Sequence, residues 1–229
     1  MNPNNSFAKF LRFIGITLMA LTAGFTLMSG IGTVCAALFT ETYAAESESM
    51  SKLLGYGWLY TIFMLVTIAT GVMMVRAFIL LIRAAPTSYR DTLISLVTGV
   101  VVGVIHIITS RALRGASMPV DMIVYTTAFT LAVFLLFRIP GVWQGVSYTS
   151  GKGQNNMAGG AAAIVLGITC LAMPSMVAPS HTWALGVNWA NAFNATLVPL
   201  GLALVLGGFA WGIYVSLPKA QQTAIHASK

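Results

Sequence analysis

Charged side chains are scarce in this 229-residue chain. Asp and Glu together number five, and charged residues make up 7% of the sequence. The stretch 153–218 contains no Asp, Glu, Lys or Arg. About a quarter of the residues of a soluble domain are charged, whereas one bilayer crossing needs about 20 apolar residues. The scarcity of charge therefore excludes a soluble globular protein, and this stretch is long enough to cross a membrane twice.

Cysteine, histidine and carboxylates are also scarce, and this argues against catalysis. The two cysteines and three histidines have no zinc-site spacing, and no Cys–His or Ser–His–Asp set is visible. The sequence leaves open whether Cys35 and Cys170 are paired. Its twelve basic residues are scattered between apolar segments rather than clustered, which argues against a nucleic-acid partner. We therefore predict no enzyme activity, no catalytic residue and no metal site.

Hydrophobic residues, in contrast, make up 57% of the chain and fall into long runs separated by charges and turn residues. Lipid offers no partner to an unpaired backbone N–H or C=O, so such runs are expected to be helical. The sequence predicts an all-α, polytopic transmembrane helix bundle that forms one integral membrane domain over 1–229. Its six predicted spans are 10–38, 55–82, 92–110, 119–137, 158–177 and 189–214.

The distribution of Lys and Arg gives the orientation. With the N-terminus in the cytoplasm, nine of the twelve basic residues fall on the cytoplasmic side, and only Lys52, Arg111 and Arg114 fall outside. Cytoplasmic loops of membrane proteins carry such an excess. Both termini are therefore predicted to be cytoplasmic, in a multi-pass protein of the cell (inner or plasma) membrane whose first partner is the lipid bilayer.

The predicted outer ends of the third and fourth spans carry the most polar cluster of the chain: His106, Ser110, Arg111, Arg114, Ser117, Asp121 and Tyr125. Asp121 lies in the first turn of a helix, where a negative charge is favourable. One interpretation is a tight helical hairpin in which Asp121 pairs with Arg111 or Arg114 and Gly115 makes the turn. The other is an outward-facing site for an anion, headgroup or substrate, with His106 as a proton-linked group.

Three further sets of residues could form a polar pathway. Arg76 lies well inside the second span, and it either extends to the cytoplasmic interface or pairs with Asp91 or carbonyls inside the bundle. His106 either bonds a neighbouring helix or binds a haem or chlorophyll-type pigment, although no cofactor is predicted. An amide stripe at the start of the last helix either lines a cavity or caps the helix: Asn188, Asn191 and Asn194.

Small residues at four-residue spacing predict helix packing. They let helix backbones approach closely where no hydrophobic effect drives association. One stripe lies on the third span and the other on the sixth: Ser95, Gly99 and Gly103, and then Gly208 and Gly212. We expect these faces to pack the bundle, and a spare face could bind another subunit.

The absence of catalytic motifs and the abundance of packing faces favour a non-enzymatic membrane component. The leading interpretation is an accessory or scaffolding subunit of a larger membrane complex, with other membrane protein subunits as partners. A small-solute or ion transporter or channel is the alternative. A haem- or pigment-holding electron-transfer subunit is the third.

Overall fold

The structure is a computed structural model that describes residues 2, 5–44, 48–117, 119–146, 148, 155–177, 193–218 and 221. Over these residues the regular secondary structure is entirely helical, which confirms the all-α prediction. In chain order the helices are α1 (Ser6–Gly32), α2 (Val34–Leu38), α3 (Thr40–Ala44), α4 (Glu48–Ser51), α5 (Gly57–Ile82), α6 (Ser88–Arg114), α7 (Val120–Leu136), α8 (Trp143–Val146), α9 (Asn155–Val177) and α10 (Asn194–Ser216).

Within the described ranges, four stretches are long and apolar enough to cross a membrane. They are Ser6–Leu38, which comprises α1 and α2, and the helices α5, α6 and α10. The helix α7 and the segment Asn156–Ala172 of α9 are apolar but shorter. Long apolar helices of this kind fit an α-helical membrane bundle. The count of six spans and the cytoplasmic termini stay predictions.

The third predicted span, 92–110, lies within a longer helix. The helix α6 runs four residues further at each end, because its terminal charges suit a helix. Asp91 lies in its first turn and Arg111 and Arg114 in its last, which are the favourable ends for those charges. Gly115 then ends the helix with a positive φ of 74° and donates its N–H to the Arg111 carbonyl. This is the turn that the sequence predicted at Gly115.

By its internal contacts the chain divides into two compact units. Unit 1 comprises Met1–Thr17, Ile82–Ala84 and Pro140–Lys229, and unit 2 comprises Leu18–Leu81 and Ala85–Ile139. Unit 2 therefore contains the C-terminal half of α1 with α5, α6 and α7, and unit 1 contains α9 and α10. The prediction of a single membrane domain stays a prediction.

In unit 2, α1 and α5 approach each other closely at two glycines. A Cβ atom on Gly30 would lie 2.6 Å from Cγ1 of Ile68, and one on Gly71 would lie 2.7 Å from Cδ2 of Leu27. Real Cβ contacts are longer than this, so each position requires glycine unless its neighbour moves. Neither glycine was among the predicted packing residues, because each lacks a second glycine four positions away.

The predicted stripe on α6 lies in the interior of unit 2. Ser95 is buried. A Cβ atom on Gly99 would collide with the terminal methyl of Met74 on α5, and one on Gly103 would collide with a methyl of Val124 on α7. The stripe therefore lies where α6 contacts both of its neighbours, as expected for small residues at a helix interface.

In unit 1, α9 and α10 pack as an antiparallel pair through four glycines. A Cβ on Gly208 would lie 2.6 Å from the Gly160 carbonyl oxygen, and one on Gly167 would lie 2.6 Å from the Gly201 carbonyl oxygen. The two glycines on each helix are seven residues apart, or about two turns. Gly208 was predicted as a packing residue, whereas its partner Gly160 was not.

The second predicted residue of the sixth span, Gly212, faces a different neighbour. A Cβ there would collide with the ring of Phe13, which belongs to the part of α1 in unit 1 and is fully buried. Gly208 and Gly212 thus lie on one side of α10 but contact different helices. The sequence could predict a small-residue face here but not the division of that face between two partners.

Candidate functional site

The interior of unit 2 is rich in hydroxyl groups. Two threonines from each of three helices are buried there at three- or four-residue spacing: Thr22 and Thr26 of α1, Thr67 and Thr70 of α5, and Thr127 and Thr130 of α7. None was among the residues predicted to form a site. The available signal was threonine recurring at helical spacing within otherwise apolar helices, which places both side chains on one face.

Most of these hydroxyls are bonded to their own helix, and one pair joins two helices. Thr130 donates to the Thr126 carbonyl at 2.9 Å, so the 2.8 Å contact between the Thr22 and Thr130 hydroxyls has Thr22 as donor. Thr26 donates to the Thr22 carbonyl at 2.8 Å. In a lipid environment such bonds between helices are one of the few directional forces that hold a bundle together.

His106, on α6, also lies in the interior of unit 2 and is 3% exposed. Its ring is stacked on that of Phe63, with centroids 4.3 Å apart and an interplanar angle of 7°. The Tyr60 ring meets it edge-on at 5.7 Å. The Tyr60 hydroxyl lies 2.8 Å from Oγ of Ser110, one turn beyond His106. Contacts with α5 therefore hold the imidazole on both sides.

A small cavity adjoins this histidine. Its volume, as space open to the centre of a water molecule, is ≈ 20 Å³. Its walls come from four helices: Thr26, Ser29, Thr67, Thr70, Gly99, Val102, Gly103, His106, Val120, Ile123, Val124 and Thr127. This volume suits a single water molecule. A haem or chlorophyll-type macrocycle at His106 would require the packing around the ring to open, and a visible absorbance spectrum of the purified protein tests for one.

The polar cluster predicted at the α6–α7 hairpin is a hydrogen-bonded network. Nη2 of Arg111 lies 2.6 Å from Oδ1 of Asp121, and the Ser117 hydroxyl donates to the other carboxylate oxygen at 2.5 Å. Nε of Arg111 also donates to the Ser117 hydroxyl. Arg114 instead reaches Oγ of Ser49 at 3.4 Å. Of the two arginines proposed as partners of Asp121, the structure therefore selects Arg111.

Arg76 lies on the exposed face of α5, as Val72 does, and does not point into the bundle. Within the described part of the chain it forms no ion pair. Asp91, one of its proposed partners, is bonded instead to the Thr87 hydroxyl at 2.9 Å and lies 3.6 Å from Arg90. This placement agrees with an arginine that extends along the apolar surface toward the interface.

The predicted amide stripe lies only partly within the described residues. Asn194 opens α10 and is exposed, whereas Asn188 and Asn191 lie outside the described ranges. The two cysteines are described, and both Cys35 and Cys170 are free thiols. Among the described residues no group of His, Cys, Asp and Glu is arranged to hold a metal ion.

Unit 1 carries a second concave feature, an open groove of ≈ 440 Å³ on the surface of the α9–α10 pair. Most of its lining residues are glycine or alanine: Asn156, Gly159, Gly160, Ala163, Gly207, Gly208 and Trp211. A Cβ atom added to Gly159 or Gly207 would meet no atom within 4 Å. At one end Nε1 of Trp211 donates to the Asn156 carbonyl at 2.6 Å, which fixes the indole. We call this feature the glycine groove.

Comparison with protein-family models, curated proteins and solved structures finds no match to this chain.

Proposed function

We propose that this chain is a non-enzymatic, multi-pass membrane protein that serves as an accessory or scaffolding subunit of a larger membrane complex. The glycine groove is the observation that supports this most directly. Gly160 and Gly208 are already used where α9 meets α10, but Gly159 and Gly207 are exposed and face open space. The pair of helices thus presents small residues to a third body as well as to each other.

A transmembrane helix of a partner subunit is the occupant that suits this groove. Gly159 and Ala163 follow the small-xxx-small spacing, which lets two helix backbones approach closely in lipid. The groove has room for side chains of such a helix, and the fixed indole of Trp211 offers a large contact surface at one end. Lipid tails are the competing occupant, and they gain nothing specific from glycine.

Substitutions within the groove test this proposal without disturbing the protein itself. Gly207→Leu and Gly159→Leu place a bulky side chain where a Cβ meets no neighbour, so the fold is expected to remain intact. The added bulk fills the groove and separates the partner helix. In protein purified from membranes in mild detergent, we expect at least a tenfold loss of co-purifying membrane subunits, measured by mass spectrometry, with a melting temperature that is not lowered, because leucine is a better helix former than glycine.

Leu206→Trp is the matched control for these variants. Leu206 neighbours Gly207 on α10, is 67% exposed and does not line the groove. A bulkier side chain there should leave the co-purifying subunits in place. If Gly207→Leu and Gly159→Leu retain the same partners as the unsubstituted protein, the groove faces lipid and the scaffolding proposal loses its support.

A transporter or channel is the second candidate, and the hydroxyl-rich interior of unit 2 favours it. The buried threonines and His106 would provide polar contacts along a path through the bundle, and lipid-facing helix surfaces do not provide such contacts. The cavity among them has room for one water molecule, so conduction would require unit 2 to open. Flux of small ions or solutes into liposomes that contain only this purified protein would favour transport over scaffolding.

A further inference from the structure

Among the buried polar side chains that line the cavity in unit 2, those of Thr67 and His106 have no hydrogen-bond partner among the described residues. Oγ1 of Thr67 is buried and makes no hydrogen bond within the described part of the chain. His106 is 3% exposed and forms ring contacts with Phe63 and Tyr60, but no hydrogen bond to any described residue. Both line the cavity of ≈ 20 Å³. Phe63, which stacks on His106, lies one helical turn before Thr67 on α5, so Thr67 and His106 lie within about one turn of each other along the contact between α5 and α6.

Buried polar groups in proteins are almost always hydrogen-bonded to protein or to ordered water. This requirement is strictest within a membrane, where no bulk solvent can supply the missing bond. A cavity needs at least about 10–15 Å³ of this kind of volume to hold a water molecule, and the water needs two to four polar partners. The cavity meets the first condition, and Thr67 and His106 meet the second.

We propose that this cavity is a specific binding site for a single water molecule, which bridges His106 on α6 to Thr67 on α5. The Thr67 hydroxyl and the imidazole each provide one bond to it. Three further threonines of the lining, Thr26, Thr70 and Thr127, can act as acceptors, because their hydroxyl hydrogens are already donated to carbonyls of their own helices at 2.8, 2.8 and 2.7 Å. Their oxygens keep free lone pairs.

Larger ligands do not suit this site. The volume restricts the occupant to the size of water, and the carbon atoms of Val102, Val120 and Val124 form much of the rest of the wall. The bridge would connect α5 to α6 through a polar contact in addition to the direct Tyr60–Ser110 bond at 2.8 Å. The water site is independent of the scaffolding proposal, since it lies in the interior of unit 2 alone.

A double-mutant cycle tests the bridge. Thr67→Val keeps the shape of the side chain and removes the hydroxyl, and His106→Phe keeps a ring to stack on Phe63 and removes both nitrogens. Because both variants remove the same water, each should cost less stability when the other is already present. We expect the factor by which His106→Phe lowers the folded-to-unfolded ratio to be at least fivefold smaller in the Thr67→Val protein than in the unsubstituted protein. Thr61→Val is the control, since the Thr61 hydroxyl is bonded to the Gly57 carbonyl on the same helix at 2.9 Å.

Solid-state NMR of the lipid-embedded protein gives a readout that packing alone would not move. With ¹⁵N-labelled histidine, a cross peak between bound water and the His106 imidazole should be lost in Thr67→Val as well as in His106→Phe, and it should stay unchanged in Thr61→Val. Additive stability effects together with no water cross peak to His106 would overturn the proposal. That result would mean that the two side chains do not share a ligand.

Discussion

At the scale of single residues, the Arg111–Asp121 pair is asymmetric. The Asp121 side chain is 7% exposed, whereas that of Arg111 is 56% exposed. A charge that can reach water tolerates the loss of its partner, but a buried carboxylate does not. Arg111 rather than Arg114 is the partner: its Nε also donates to the Ser117 hydroxyl, whereas Arg114 reaches Ser49.

This asymmetry predicts which substitution costs more. Arg111→Ala leaves a buried carboxylate whose one remaining donor among the described residues is the Ser117 hydroxyl, so we expect a loss of about 3 kcal/mol in the free energy of unfolding. Asp121→Asn removes the charge but keeps the shape and one acceptor, and we expect a loss of about 1 kcal/mol. Thermal melts in detergent at neutral pH measure both.

The Glu48–Lys52 pair is the control. Its atoms lie 2.8 Å apart, and Lys52 lowers the pKa of Glu48 by its hydrogen bond and its charge, but both side chains are largely exposed. Solvent screens such pairs, so Lys52→Ala should leave the melting temperature nearly unchanged. A larger loss for Asp121→Asn than for Arg111→Ala would contradict the proposed burial of the carboxylate.

At the scale of helices, the two glycines of the α6 stripe meet different kinds of neighbour. Gly99 faces the terminal methyl of Met74, which is the flexible end of an unbranched side chain. Gly103 faces a methyl of Val124, a β-branched residue that is held to one rotamer in a helix. The four-residue spacing in the sequence therefore does not show that Gly99 and Gly103 differ in how well they tolerate a larger side chain.

Alanine at these two positions should separate the cases. Gly99→Ala gains about 0.8–1 kcal/mol of helix propensity, and Met74 can move, so its stability should be unchanged or slightly raised. Gly103→Ala forces α6 away from α7 and should lose about 1–3 kcal/mol from overpacking. Val101→Leu is the control, because Val101 on α6 is 53% exposed. Equal melting temperatures for both alanine variants would show that Val124 also gives way.

At the scale of the whole molecule, the membrane topology is a prediction from the charge distribution. With all six apolar segments crossing, nine of the twelve basic residues fall on one side. The structure contains a helix within each predicted span, but α7 and α9 are the shorter ones. Their crossing is therefore the part of the topology that most needs measurement.

Reporter fusions test this arrangement directly. Fusions after Ser51 and after Gly115 should report an external position, and one after Gly151 an internal position, because α7 would return the chain to the cytoplasm. A fusion after Met1 gives the reference for the cytoplasmic side. An external signal at Gly151 would mean that α7 does not cross, and the six-span topology would then fail.

The sequence by itself determined the helical, membrane type of this protein. Charge is so scarce, and the apolar runs so long, that a bilayer admits only helices for them. It also located the hairpin turn at Gly115 and the small-residue stripes, since caps and helical spacing are local properties. Where it ended α6 at 110, it failed because charged residues within a helical end do not stop the helix.

Only the tertiary structure decided which side of each helix faces a neighbour. Arg76 is on the exposed face of α5, Thr67 lines a cavity, and Gly160 meets Gly208, which lies 48 positions further along the chain. A helix with apolar residues on all sides carries no local signal that distinguishes lipid from protein. Its inner face is set by contacts between distant residues, and those contacts created both the water-sized cavity and the glycine groove.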